Sequence, residues 1–97
     1  MATKIIIPPT GQKESTGTIG IWYKKEGDFI TKGDKLCTIE TEKASIEIES
    51  PCSGILRIIF SVRDTEVSEG DCIAIISEAD EDISSLEMEI RLAKSST

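Results

Sequence analysis

Residues Ile30–Ile39 read ITKGDKLCTI, and residues Val67–Ile76 read VSEGDCIAII. Laid over each other, Ile30, Gly33, Asp34, Leu36 and Ile39 fall on Val67, Gly70, Asp71, Ile73 and Ile76. The same frame, the 37-residue interval from Gly17 to Gly54, carries Gly17, Ile19 and Ile21 onto Gly54, Leu56 and Ile58. An Ile-rich chain supplies a few aliphatic matches by chance. Two glycine pairs and an aspartate pair in one frame are harder to obtain that way. Two copies are too few for a solenoid. They predict an all-β fold, a flattened barrel or sandwich of two sheets related by a pseudo-two-fold.

Working outward, the local signals agree. Lys4–Ile7 predicts a short strand closed by Pro8 and Pro9, followed by a polar loop to Ser15. Longer strands are expected over Thr16–Lys24, Lys35–Thr41, Ala44–Ser50, Gly54–Ser61 and Cys72–Ser77, with short ones at Phe29-Ile30 and Glu66-Val67. Gly27-Asp28, Gly33-Asp34, Ser53-Gly54 and Gly70-Asp71 mark turns between them. Ile46 and Ile48 alternate with Glu47 and Glu49, the pattern of a strand with one dry and one wet face. The expected core is Ile5, Ile7, Ile19, Ile21, Ile30, Leu36, Ile39, Ile46, Ile48, Leu56, Ile58, Val67, Ile73 and Ile76. In the repeat frame Gly27 corresponds to Asp64. If that turn needs positive φ, Asp tolerates it better than most residues.

Composition narrows the function classes. The 97-residue chain fits one domain with a short tail. It has no histidine, which removes the commonest general base and metal ligand and every Ser-His or Cys-His pair. Cys37, Cys52 and Cys72 are an odd number without CxxC spacing, and read as reduced, buried or half-buried thiols. Eighteen acidic residues against 11 basic ones give a net charge of −7, which repels a nucleic-acid backbone and suits a basic partner groove. No stretch reads as a membrane span or signal peptide. Catalysis by this chain alone is not expected.

The unit is expected to span residues 1–78, with 79–97 an acidic linker and a short helix. Ser84-x-x-Glu87 is a capping-box pattern, and Ile83, Leu86, Ile90 and Ala93 make one apolar stripe. So short a helix is marginal alone and is expected to dock weakly or fray.

Only Glu42 and Lys43 separate two of the expected strands, so they form the tip of a tight hairpin. Neither is Gly, Asn or Asp, so a type I′ turn is disfavoured and a type I turn with some strain is expected. A tip lysine by itself is ordinary edge protection. Its setting is more specific. Glu40-Thr41-Glu42-Lys43-Ala44 closes the first repeat copy and is followed by the Ile46/Ile48 strand and Pro51-x-x-Gly54. With Trp22, Gly27-Asp28, Gly33-Asp34-x-Leu36 and Gly70-Asp71-x-Ile73-Ala74, this resembles the lipoyl domain of the dihydrolipoamide acyltransferase component of 2-oxo acid dehydrogenase complexes. The resemblance runs from about Lys4 to Ser77. Two departures stand out: Glu42 replaces the family's usual Asp, and Thr16 replaces the acidic residue before Gly17.

The resemblance implies lipoate joined to Lys43 through its ε-amine, as a swinging arm. Glu40, Thr41, Glu42 and Ala44 would be read by a lipoate ligase or lipoyl transferase. The implied partners are a thiamine-diphosphate 2-oxo acid decarboxylase, an acyltransferase core and dihydrolipoamide dehydrogenase, with pyruvate the expected oxo acid. Neither nucleic acid nor membrane is an expected partner. The implied location is the bacterial cytoplasm, or the mitochondrial matrix of a eukaryote. Such domains belong to longer acyltransferases, or stand free as carriers. The nearest alternative, a biotin carboxyl carrier, shares the hairpin but places methionine on both sides of its lysine. The lipoylated carrier of glycine cleavage is longer, with further helices. An unmodified lipoyl-like interaction module needs no tip lysine.

Overall fold

A computed structural model describes residues 2–8, 16–41 and 44–95. The strands in chain order are β1 (Thr3–Ile6), β2 (Thr16–Trp22), β3 (Phe29–Ile30), β4 (Lys35–Glu40), β5 (Ser45–Glu49), β6 (Gly54–Ile59), β7 (Glu66–Ser68) and β8 (Cys72–Ser77), followed by the helix α1 (Ser84–Ser95). They form two four-stranded sheets, in the orders β1-β8-β6-β3 and β5-β4-β2-β7. The 37-residue frame maps β2, β3 and β4 onto β6, β7 and β8, so it exchanges the two sheets. The pairing follows it residue by residue. Ile19 lies opposite Ile39 and Trp22 opposite Cys37, while Leu56 lies opposite Ile76 and Ile59 opposite Ala74. The expected all-β pseudo-two-fold fold is the observed one, with one C-terminal helix.

The repeated residues have repeated jobs. Gly17 and Gly54 lie against the neighbouring strand: a Cβ would come within 2.8 Å of Ile39 Cγ2 in one copy and 2.9 Å of Ile76 Cγ2 in the other. Asp34 and Asp71 each accept, through Oδ2, the backbone N–H three residues earlier, from Thr31 at 2.9 Å and Ser68 at 2.8 Å. These carboxylates close the turn by hydrogen-bonding backbone that would otherwise lack a partner. Asp64 has φ 70° where its counterpart Gly27 has φ 97°, so the second copy does place an aspartate in the left-handed region.

Aliphatic side chains from both sheets fill the space between them, with Ile19, Ile30, Leu36, Ile39, Leu56, Val67, Ile73 and Ile76 almost fully enclosed. Two expected core residues are elsewhere. Ile21 is exposed, and Ile58 packs on the outer side under α1. The cause is an irregularity in register between Ile19 and Trp22, repeated between Leu56 and Ile58. One extra residue reverses the in–out alternation. Trp22 and Ile59 therefore take the inward places, and Trp22 Nε1 donates to Ser61 O at 2.8 Å. Ile46 is half-buried against the core. Ala74 and Ile75, absent from the expected core, are buried, and so is Cys37, one of the thiols expected to be buried or half-buried. All three cysteines are free thiols, with Cys52 and Cys72 half-buried.

Helix α1 lies on the outer face of the first sheet. Ile83 and Ile90 are buried there with Ile75, and Leu86, Ile58, Phe60, Cys72 and Ala2 pack around them. Ala93, expected on this stripe, stays exposed. Arg57 Nη1 holds the connecting strap, donating to Ser77 Oγ at 2.8 Å, Glu78 O at 2.7 Å and Glu81 O at 2.8 Å. The expected capping box is not formed. Ser84 donates its N–H and its hydroxyl to Asp82 Oδ1, at 3.0 and 2.6 Å, while Glu87 turns to Arg91 at 2.8 Å. The box also needs the Glu87 N–H, which goes to Ile83 O at 2.8 Å, while the Asp82 carboxylate keeps both Ser84 donors. These hydrogen bonds hold the Asp82 carboxyl below its usual pKa.

Candidate functional site

The hairpin β4–β5 sits at the outer side of the second sheet, with Ile39 opposite Ile46 and Glu40 opposite Ser45. Ile39 and Ile48 are buried and anchor it, while Glu40, Glu47 and Glu49 face solvent. Lys35 Nζ meets Glu47 at 3.2 Å, both exposed, so the pair contributes little to stability. Beyond Glu40 and Ser45 the strands are joined at a neck. Thr41 N donates to Ala44 O at 2.8 Å. The Thr41 hydroxyl donates to the same oxygen at 2.9 Å and accepts the Ala44 N–H at 3.1 Å. The connection is therefore the two-residue one expected.

Of the five sequence-predicted site residues, the structure brings Glu40, Thr41 and Ala44 together at this neck. Glu42 and Lys43 lie outside the described residues, as does the turn type expected for them and most of the loop after Pro8. Sequence reasoning missed Gly20. The Glu40 carboxylate folds across it, so a Cβ at Gly20 would lie 3.2 Å from Glu40 Oε2 and would strike Thr38 Oγ1. Thr38 Oγ1 itself accepts the Ile21 N–H at 3.0 Å. A glycine inside a strand was the available signal of such close approach.

Among the described residues no group of three or more Cys, Asp or Glu side chains is placed to hold a metal ion. A covalent arm asks for something different: a primary amine on a tip that the sheet leaves open. At the neck Glu40, Ala44 and Ser45 are exposed and Thr41 is half-buried. The residues present fit a group attached at the lysine.

A family profile described as biotin-requiring enzyme, the biotin/lipoyl family, matches residues 3–76. The chain belongs to this family. Three curated biotin/lipoyl relatives define its neighbourhood. The succinyltransferase component of the 2-oxoglutarate dehydrogenase complex of Rickettsia bellii is 40% identical over 82% of this chain and 20% of its own length. The acetyltransferase component of the acetoin cleaving system of Bacillus subtilis is 37% identical over 86% and 21%. The acetyltransferase component of the pyruvate dehydrogenase complex of Rickettsia prowazekii is 39% identical over 84% and 20%. The chain thus spans about a fifth of the length of these relatives. Among solved structures, the lipoyl domain of the 2-oxoglutarate dehydrogenase complex of Azotobacter vinelandii has the same fold, with TM-score 0.65 at 24% identity over 77% of this chain and 95% of that one. The urea carboxylase of Kluyveromyces lactis contains it too, with TM-score 0.67 at 25% identity over 79% and 6%. The chain is a carrier domain of the biotin/lipoyl family, not a catalyst by itself.

Proposed function

We propose that this chain is a lipoyl carrier domain of a dihydrolipoamide acyltransferase, serving a 2-oxo acid dehydrogenase complex with lipoate in amide linkage to Lys43. The observation that carries this reading is the two-residue neck, closed by Thr41 and Ala44 within Glu40-Thr41-Glu42-Lys43-Ala44, in a chain of the biotin/lipoyl family. When bound, lipoate supplies a reducible disulfide at the end of a long flexible stem, and with it the means to carry an acyl group.

Lys43 contributes a nucleophilic amine and reach. The amide removes its positive charge. The rigid sheet behind the hairpin fixes where the arm starts, and tethering keeps its far end at high effective concentration near successive active sites. Glu40, Thr41, Glu42 and Ala44 form the surface that a lipoate ligase or lipoyl transferase reads. The enzymes served in turn are a thiamine-diphosphate decarboxylase, the acyltransferase core and dihydrolipoamide dehydrogenase. The carrier unit is residues 1–78, with 79–97 an attached cover. The setting is the cytoplasm of a bacterium or the matrix of a mitochondrion.

Pyruvate is the oxo acid expected from the sequence, and the pyruvate dehydrogenase relative supports it. The succinyltransferase relatives make 2-oxoglutarate the competitor. Reductive acylation of the lipoylated chain by the two decarboxylases, compared as kcat/KM, decides between them. Likeness to carboxylases keeps biotin as the second reading. Co-expression with a lipoate ligase, followed by intact-mass measurement, separates the two. One lipoyl increment is expected in the wild type and none in Lys43→Arg, whose thermal stability stays unchanged because a tip side chain makes few contacts. Biotinylation of the wild type, or no modification where a control domain is lipoylated, overturns the reading.

A further inference from the structure

We propose that Thr41 is a positioning residue for the acylation of Lys43, its hydroxyl holding the neck that presents the lysine. The proposal rests on the lipoyl reading above and adds a role for a residue that need not touch lipoate. Two-residue hairpin connections favour Gly, Asn or Asp because the usual primed turns need positive φ. Glu42-Lys43 offers none of these. The Thr41 side chain supplies what the turn residues lack. Its hydroxyl takes the Ala44 N–H at 3.1 Å and returns a hydrogen bond to Ala44 O at 2.9 Å, beside the Thr41 N–H at 2.8 Å. A hydroxyl donates and accepts through a single oxygen. The strands are thus closed at their ends by a side chain as well as by the backbone.

The pseudo-two-fold shows that the fold itself does not require this threonine. Position 41 corresponds to Glu78, at the end of β8, where the chain passes into the strap and no hairpin is closed. Both sheets form with the same register, and only the copy bearing the lysine has the hydroxyl. The device belongs to the hairpin, not to the barrel.

An unpinned neck samples forms in which the lysine is not presented. A modifying enzyme that accepts only the presented form meets a smaller competent fraction, and its apparent affinity falls by that fraction. The loss should therefore appear in KM and not in kcat.

The test uses the full chain with Thr41→Val, which keeps shape and β-branching without the hydroxyl, and Thr41→Ser, which keeps the hydroxyl. Lipoylation is followed with a lipoate ligase, ATP and lipoate. Amide hydrogen exchange at Ala44 is followed on the unmodified chains. Thr41→Val should raise KM for the domain about five- to tenfold, with kcat within about twofold, and should speed Ala44 exchange by a similar factor. Thr41→Ser should stay within about twofold of wild type on every measure, and all three chains should unfold within about 2 °C of one another. An unchanged KM in Thr41→Val, a fall confined to kcat, equal impairment in Thr41→Ser, or a large loss of thermal stability overturns the proposal. If the wild type takes no lipoate, the carrier reading fails instead, and the Ala44 exchange rates still decide whether the hydroxyl closes the neck.

Discussion

Ile58 and Ile21 occupy matching places in the two sheets, and what surrounds them differs. Ile58 lies under α1 beside the buried Ile75, whereas Ile21 is 52% exposed. The strands beneath are the same in order and register, so the backbone does not cause the difference. The neighbours do. Where the first sheet has Ile75, Phe60 and Cys72, the second has Thr38, Tyr23 and Lys35. Thr38 accepts the Ile21 N–H, and Lys35 pairs with Glu47. Three more polar side chains keep one face wet, and three apolar ones hold a helix on the other. The face without α1 belongs to the sheet that contains the β4–β5 hairpin.

The strongest way to break this comparison is to remove the cover. A chain ending at residue 78 exposes Ile75, Ile58 and Phe60, and should lose about 2–4 kcal/mol of stability, read as a lower urea midpoint. It should also lose the helical circular-dichroism signal. An unchanged midpoint means that α1 rests on the sheet without stabilising it.

Matched single changes sharpen the same contrast. Ile58→Ala should cost about 2 kcal/mol, within the range for a packed isoleucine, and Ile21→Ala no more than about 0.5 kcal/mol. Equal costs in urea denaturation sink the claim that the two faces differ.

An effect confined to alkaline pH separates the inner positions Cys37 and Ala74, which also correspond. Burial pushes the Cys37 thiol from 9.0 to about 12. Because the folded value lies above the unfolded one, this contribution is complete below the unfolded value and is lost as pH rises towards the folded one. Between them stability should fall by at most about 1.4 kcal/mol per pH unit from this group. Cys37→Ala, which copies the other sheet, should flatten that alkaline slope in denaturation curves at about pH 8 to 11. An identical slope in both proteins shows that other groups dominate.

Much of this was legible because the signals are local. The eight strands followed from turn residues and alternation, and the Gly-Asp turns from chemistry that operates within three residues. Thr41 and Ala44 were named from the motif, but the hydrogen bonds between them come from the folded hairpin. The capping box is absent because Ser84 gives its hydroxyl to Asp82 and the Glu87 N–H goes to Ile83 O, choices that spacing does not rank. Ile21 and Ile58 were misplaced because alternation was carried through a register irregularity, marked by Gly20 in one copy but by Arg57 in the other.

The sequence by itself determined the repeat, the strand order along the chain and the hairpin that joins β4 to β5, since each depends on residue type at short range. Only the tertiary structure decided which sheet α1 covers, which way Trp22 and Ile59 face, and how the Thr41 hydroxyl closes the neck. Those outcomes depend on which strands become neighbours, and pairing across the two repeat copies is a property of the whole chain.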